Sequence, residues 1–400
     1  MSELVDGTGT AGVPACYKTT KIIVGYRAGE DDCVPSNSGY RAGGDACGPS
    51  TSDIIMTNCF NNWNWQPPSL WQKITTIEMH TGGEPLRVFV FGLPPIEGNT
   101  VLEKRRYFRE HYDHIRKGTM WEPRGHADMY GAVVTQSRDA DLDVFFLHNE
   151  GYSTMCGHAI IALTKLAIET GLVGKPLERR QLTINVPAGR IKAEARVANG
   201  KVCETSFHNV ASFLYLRDQE VDVPGIGLVR FDVSYGGAFY AFVDAASVGV
   251  RLVAEDLPRL IDYGRRIKHA VMENFPIKHP FEDDLSFLYG TIFTGPALDL
   301  AHHSRNVCIF ADGEVDRSAT GSGVSARAAL HHAKSELNVG EKITIESIVG
   351  STMGVKVVEL TRFGPYDAVI PEVSGTASFT GRNEFWFDPE DEFGNGFILR

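Results

Sequence analysis

Two short stretches place reactive side chains beside glycine. Residues 154–159 read TMCGHA and residues 316–323 read DRSATGSG. Helix-forming sequence follows each, so each reads as a turn opening a helix. A helix start leaves backbone N–H groups without intrahelical partners and carries a partial positive charge, which suits an anion such as a carboxylate. Glycines at such a start let a ligand approach the main chain closely. Cys156-Gly157-His158 from one stretch and Thr320-Gly321-Ser322-Gly323 from the other could therefore grip one carboxylate from two sides. Taken alone, the second stretch is no more than a glycine-capped turn. It is not a phosphate loop, because no Gly-Lys-Ser/Thr follows it.

Cys156 adds a reactive group. At a helix start its thiolate is favoured, moving a free value of about 8.5 towards the roughly 3.5 to 7.5 of activated thiols. A thiolate serves as base or as nucleophile. An isolated cysteine usually behaves as a small buried hydrophobe, and Cys203 and Cys308, within strand-like runs, are read that way. The placement of MCGH between a strand and a helix sets Cys156 apart. Asp316, shortly before Thr320, offers a carboxylate to a cationic amine. His158 lies two residues beyond Cys156 on the helix start, where its ring need not reach the sulfur; this argues against a Cys-His hydrolase.

These residues need a scaffold, and the chain from Trp71 onward reads as compact α/β sequence. Residues 74–91 suggest strand, Gly-Gly turn and strand; 142–151 suggest a strand entering a turn. GHAIIALTKLAIETG reads as a helix with Lys165 and Glu169 on a polar stripe and Gly171 as its stop. Residues 182–197 return as strand, turn, strand. The second half repeats this grammar with different letters: strands about a Gly-Gly turn at 229–244, an amphipathic helix at 254–274, a strand leading into DRSATGSG, a helix, and strands over 342–360. The expectation is two similar α/β halves, 73–205 (completed by strands in 375–400) and 206–374, each giving one helix start to a shared cleft.

Residues 1–72 differ. They are rich in Gly, Ser, Asn, Asp and Pro, and GYRAGEDDCVPSNS at 25–38 is followed by GYRAGGDACGPSTS at 39–52. This tandem repeat reads as a poorly ordered extension, its apolar content being too low to offset the entropy of ordering. Its cysteines, Cys16, Cys33, Cys47 and Cys59, form no CxxC pair, so no zinc site is expected.

Bulk properties narrow the partners. With 43% hydrophobic residues in 400, the chain can bury a large core. A net charge of −11 disfavours nucleic acid and anionic membrane surfaces. No run of eighteen apolar residues and no secretory layout is present. A cytoplasmic protein with reduced thiols, acting on a small molecule, is expected; a homodimer is left open.

The motifs MHTGGEP (79–85), EPRGHADMYGA (122–132), NEGYSTMCGHA (149–159), SYGGAFYA (234–241), VDRSATGSG (315–323) and IPEVSGTASFTG (370–381) resemble the proline racemase family, in order, from about Ile74 to the C-terminus. The resemblance implies a pair of α/β domains of the diaminopimelate-epimerase type, pseudo-symmetric, with the active site in the cleft between them and with neither cofactor nor metal. It implies an imino acid substrate held by Gly157, His158, Asp316, Gly321 and Ser322, with Tyr130 in an aromatic pocket wall. Racemases and epimerases of the family carry a cysteine at both helix starts. This chain matches the first at Cys156 and has Thr320 at the second, a poor proton donor. Family members with threonine there eliminate water from trans-3-hydroxy-L-proline, and the resemblance implies the same here, with Cys156 as proton acceptor. A one-thiol racemase or epimerase and a non-catalytic imino-acid-binding protein are the alternatives.

Overall fold

The computed structural model describes residues 65–399, so the tandem repeat and the four N-terminal cysteines lie outside the described residues. The first half runs β1 (Gln72–Thr81), β2 (Glu84–Phe91), α1 (Val101–His111), α2 (Asp113–Met120), β3 (Tyr130–Thr135), β4 (Leu142–His148), β5 (Tyr152–Ser153), α3 (Gly157–Thr170), β6 (Gln181–Val186), β7 (Gly189–Ala198) and β8 (Lys201–His208). The second runs β9 (Phe213–Val223), β10 (Gly227–Tyr235), β11 (Phe239–Asp244), α4 (Leu257–Asn274), β12 (Leu288–Gly295), β13 (Ser304–Phe310), β14 (Glu314–Val315), α5 (Gly321–Ala333), β15 (Lys342–Glu346), β16 (Thr352–Phe363), β17 (Tyr366–Gly375) and β18 (Ala377–Phe387).

Local sequence accounts for most of these. In β4 (LDVFFLH), the apolar run Val144–Leu147 lies within a strand buried on both faces. In β7, GRIKAEARVA alternates, with Ile191, Ala193 and Ala195 inside and charged residues outside. On α4, Leu260, Gly264, Ile267 and Val271 recur at helical spacing and face the sheet. The pair α1 and α2 fills the first half's long β2–β3 connection, and a reciprocal Thr100–Glu103 capping box opens α1.

Helix α3 departs from the expected stripe. Residues Gly157–Ile168 are all buried, Lys165 included. The Lys165 ammonium bonds Glu169 Oε1 at 2.8 Å and the Val202 carbonyl at 2.9 Å, so the helix is enclosed on every side. Gly171 ends it in the left-handed conformation, φ 70°.

The pairings of the two halves match. Parallel β2–β3 corresponds to β11–β12, antiparallel β3–β4 to β12–β13, parallel β4–β6 to β13–β15, and β6–β7–β8 to β15–β16–β17. The strand after each set crosses to the other half: β9 pairs with β10, and β18 returns to pair with β1 along its length. Antiparallel β8–β17 joins the two. The fold is thus an α/β pair of pseudo-symmetric domains, with α3 and α5 in equivalent places. No helix among the described residues is long and apolar enough to cross a membrane.

Candidate active site

Cys156 follows β5 and is the N-cap of α3, its backbone extended. Thr320 is the N-cap of α5, with φ 68° and ψ 89°. A β-branched residue rarely holds this left-handed backbone, at a strain of about 1–3 kcal/mol. Neither helix start is capped by a side chain, which leaves first-turn amides for a ligand.

The two starts touch. A Cβ built on Gly157 would lie 2.6 Å from Gly321 Cα, and one on Gly321 would lie 2.7 Å from Gly157 Cα. Glycine at both positions is what lets the positive helix ends converge. Around this contact lies a small pocket of about 20 Å³. It brings together Tyr130, Cys156, Gly157, His158, Asp316, Thr320, Gly321 and Ser322, all eight residues singled out in the sequence.

Tyr240, Tyr289, Phe310, Met155 and Cys308 also line it. Tyr240 donates to or accepts from the Ser322 hydroxyl at 2.7 Å, and Tyr289 stacks on Phe310 with ring centroids 5.4 Å apart. Tyr130 bonds the Ser153 hydroxyl and meets the His158 ring edge-on at 4.8 Å. Cys308, expected as packing only, sits on β13 where its carbonyl accepts the Asp316 N–H at 3.1 Å. The period of two in NVCIF, which sets Cys308 and Phe310 on one face, was the available signal.

Electrostatics revise two expectations. The His158 ring does reach the sulfur: Nδ1 lies 3.1 Å from Cys156 Sγ. Burial holds this imidazole down to about 3, so it is neutral. The Cys156 thiol is pushed up, not down. Burial is the main cause; the Ala159 amide opposes it, and the nearby Asp316 carboxyl reinforces it. The helix start alone does not outweigh the desolvation of a fully buried thiol.

Asp316 is raised to about 6, again by burial, against the stabilising Ser318 hydroxyl and amide. Its Oδ1 accepts the Ser318 N–H at 2.7 Å. The Thr320 and Tyr289 hydroxyls are buried without a hydrogen-bond partner among the described residues. Among those residues no group of three His, Cys, Asp or Glu side chains is arranged to hold a metal ion. The arrangement is two thiols, Cys156 at a helix start and Cys308 on β13, one carboxyl and two sets of helix-start amides around one pocket.

Comparison with known proteins places this geometry. The proline racemase family model matches residues 76–398. Trans-3-hydroxy-L-proline dehydratase of Colwellia psychrerythraea is 51% identical over 341 residues, covering 84% of this chain and 96% of that one. The Homo sapiens protein of the same name is 44% identical, covering 82% and 95%. A crystal structure of a hydroxyproline epimerase from Agrobacterium vitis with bound trans-4-OH-L-proline is 27% identical, with a TM-score of 0.78 over 82% of this chain and 96% of that one. On the span of the family match and the identity to these relatives, the chain belongs to the proline racemase family.

Proposed function

We propose that the chain is a trans-3-hydroxy-L-proline dehydratase, releasing water and a pyrroline-2-carboxylate. The observation that carries this reading is the pairing of Cys156 with Thr320, not a second cysteine, at two touching helix starts. The relatives named dehydratase, at 44–51% identity, support it.

In this reading the amides at the starts of α3 and α5 receive the substrate carboxylate, with Gly157 and His158 on one side and Gly321 and Ser322 on the other. Asp316 receives the ring ammonium. That cation offsets the negative charge that disfavours the Cys156 thiolate, while the Ala159 amide stabilises it, so thiolate formation is coupled to substrate binding. Tyr130 forms part of the aromatic wall.

In trans-3-hydroxy-L-proline the α-hydrogen and the 3-hydroxyl share the ring face opposite the carboxylate. The Cys156 thiolate takes the α-proton, and the thiol so formed protonates the departing hydroxyl, which leaves as water. The thiolate is thereby restored. The C2–C3 double bond of the enamine product then tautomerises to 1-pyrroline-2-carboxylate. Nothing is asked of the Thr320 face. A racemase would need an acid there to protonate the planar carbanion, and a threonine hydroxyl is a weak one.

Incubation with trans-3-hydroxy-L-proline, trans-4-hydroxy-L-proline and L-proline, with pyrroline detection and chiral chromatography, tests the reading. Pyrroline from the first alone is expected. Epimer or D-proline formation without pyrroline would replace the dehydratase by a racemase or epimerase.

A further inference from the structure

Glu84 takes no part in the chemistry above, yet its setting is unusual for a carboxyl. It opens β2 directly after the Gly82–Gly83 turn and is fully buried. Its Oε2 accepts the Arg317 N–H at 2.7 Å, while Oε1 has no hydrogen-bond partner among the described residues. On the next amide of the same turn, Asp316 Oδ1 accepts the Ser318 N–H at 2.7 Å. Consecutive amides thus hold two buried carboxyls, one from each half of the chain.

The groups that face this pair are few and mostly negative. Arg317 is already engaged by Asp128, with Nη1 2.8 Å from Oδ2. The thiols of Cys156 and Cys308 feel both carboxyls. Two neighbouring buried carboxylates resist ionising together. Burial and then Asp316 push Glu84 well above the carboxylate range. With Oε2 occupied as an acceptor, Oε1 is the oxygen left to carry a proton.

We propose, resting on the dehydratase reading, that Glu84, behind the site, stands as a neutral carboxylic acid protonated on Oε1, so that the Glu84–Asp316 pair carries a single negative charge, the one on Asp316, for the ring ammonium. One charge matches one cation. A second would leave the complex with an uncompensated buried anion and would further oppose the Cys156 thiolate. The proton stays on Glu84 throughout; no proton is transferred to substrate from it.

Infrared spectroscopy of the wild-type protein carrying carboxyl-labelled ¹³C-glutamate tests this without a variant. At about pH 8, far above the ordinary glutamate value of about 4.3, a protonated-acid C=O band that shifts with the label is expected. Its absence overturns the proposal. Glu84→Gln, a neutral isostere that can still accept the Arg317 N–H, should lose the band and keep both kcat and KM within about threefold of wild type. If Glu84 is instead ionised, the variant loses a charge facing the ammonium, and KM should rise by about tenfold or more while kcat increases, which also overturns it. The band does not depend on turnover. Wild-type protein with the band but no pyrroline product would sink the dehydratase reading and leave the protonation intact.

Discussion

Gly157→Ala tests the convergence of the two helix starts. The new Cβ would stand 2.6 Å from Gly321 Cα and 3.1 Å from Ser322 N. Non-bonded carbons settle at about 3.5–4.0 Å, so α3 and α5 must part by about 1 Å. Two effects on stability compete. Alanine gains about 1 kcal/mol over glycine in a helix, whereas overpacking costs about 1–3 kcal/mol. The obstacle here is backbone on both sides and cannot rotate away, so overpacking should win and Tm should fall by a few degrees. Catalysis should suffer more, because a misplacement of about 1 Å can cost about 10²-fold in rate. Pyrroline formation under saturating trans-3-hydroxy-L-proline and a thermal melt measure the two. Gly381→Ala, whose Cβ would meet nothing within 4 Å, is the control and should change neither. Wild-type activity and Tm in Gly157→Ala would refute the contact. A lowered Tm with full activity would refute its link to the chemistry.

Cys156→Ser should fold, by circular dichroism, yet lose about 10²- to 10⁴-fold in turnover, as expected when a general base is removed; more than about a tenth of wild-type activity would point to another base. Thr320→Cys places a second thiol at the α5 start and should form some D-proline from L-proline, seen by chiral chromatography, where wild type forms none. Cys308→Ala should keep pyrroline formation within about fivefold, since the elimination uses one face; a loss of about 10² or more would make it a second catalytic thiol. Asp316, held at about 6, binds a proton in the native state that the unfolded chain releases near 3.9. Its contribution to stability therefore falls as pH rises from about 4 to about 6 and is constant above that. Relative to wild type, Asp316→Asn should gain at most about 3 kcal/mol of stability at about pH 7.5, seen as a higher Tm, and little at about pH 4.5.

The site was legible because its members sit in turns, where residue identity carries chemistry that periodicity does not. Cys156, Asp316 and the glycines stood out as types that packing does not require. The half-repeat was legible too, since Gly-Gly turns and helix starts recur in the same order. Tyr289, Phe310 and Cys308 were hidden because strand residues facing a cavity look like residues facing a core. The helices over 101–120 were hidden by charge: Lys104, Arg105 and Arg116 are buried through ion pairs with Asp143, Asp284 and Asp113, which no hydropathy pattern reveals. The Cys156 thiol was misjudged because a helix start is visible in sequence while the burial of the sulfur depends on residues from both halves packed around it.

The exchange of β9 and β18 between the halves has a bearing on how the chain is made. The second half finds its borrowed strand, β9, already synthesised when β10 emerges. The first half must wait: β1 ends at Thr81, and β18 begins only at Ala377. At roughly 5–20 residues per second, that gap is on the order of 15–60 s of translation. Throughout it, the β1 backbone along QKITTIEMHT offers unpaired N–H and C=O groups to any passing strand. The β1 edge is therefore an aggregation-exposed part of the nascent chain until β18 emerges to pair with it.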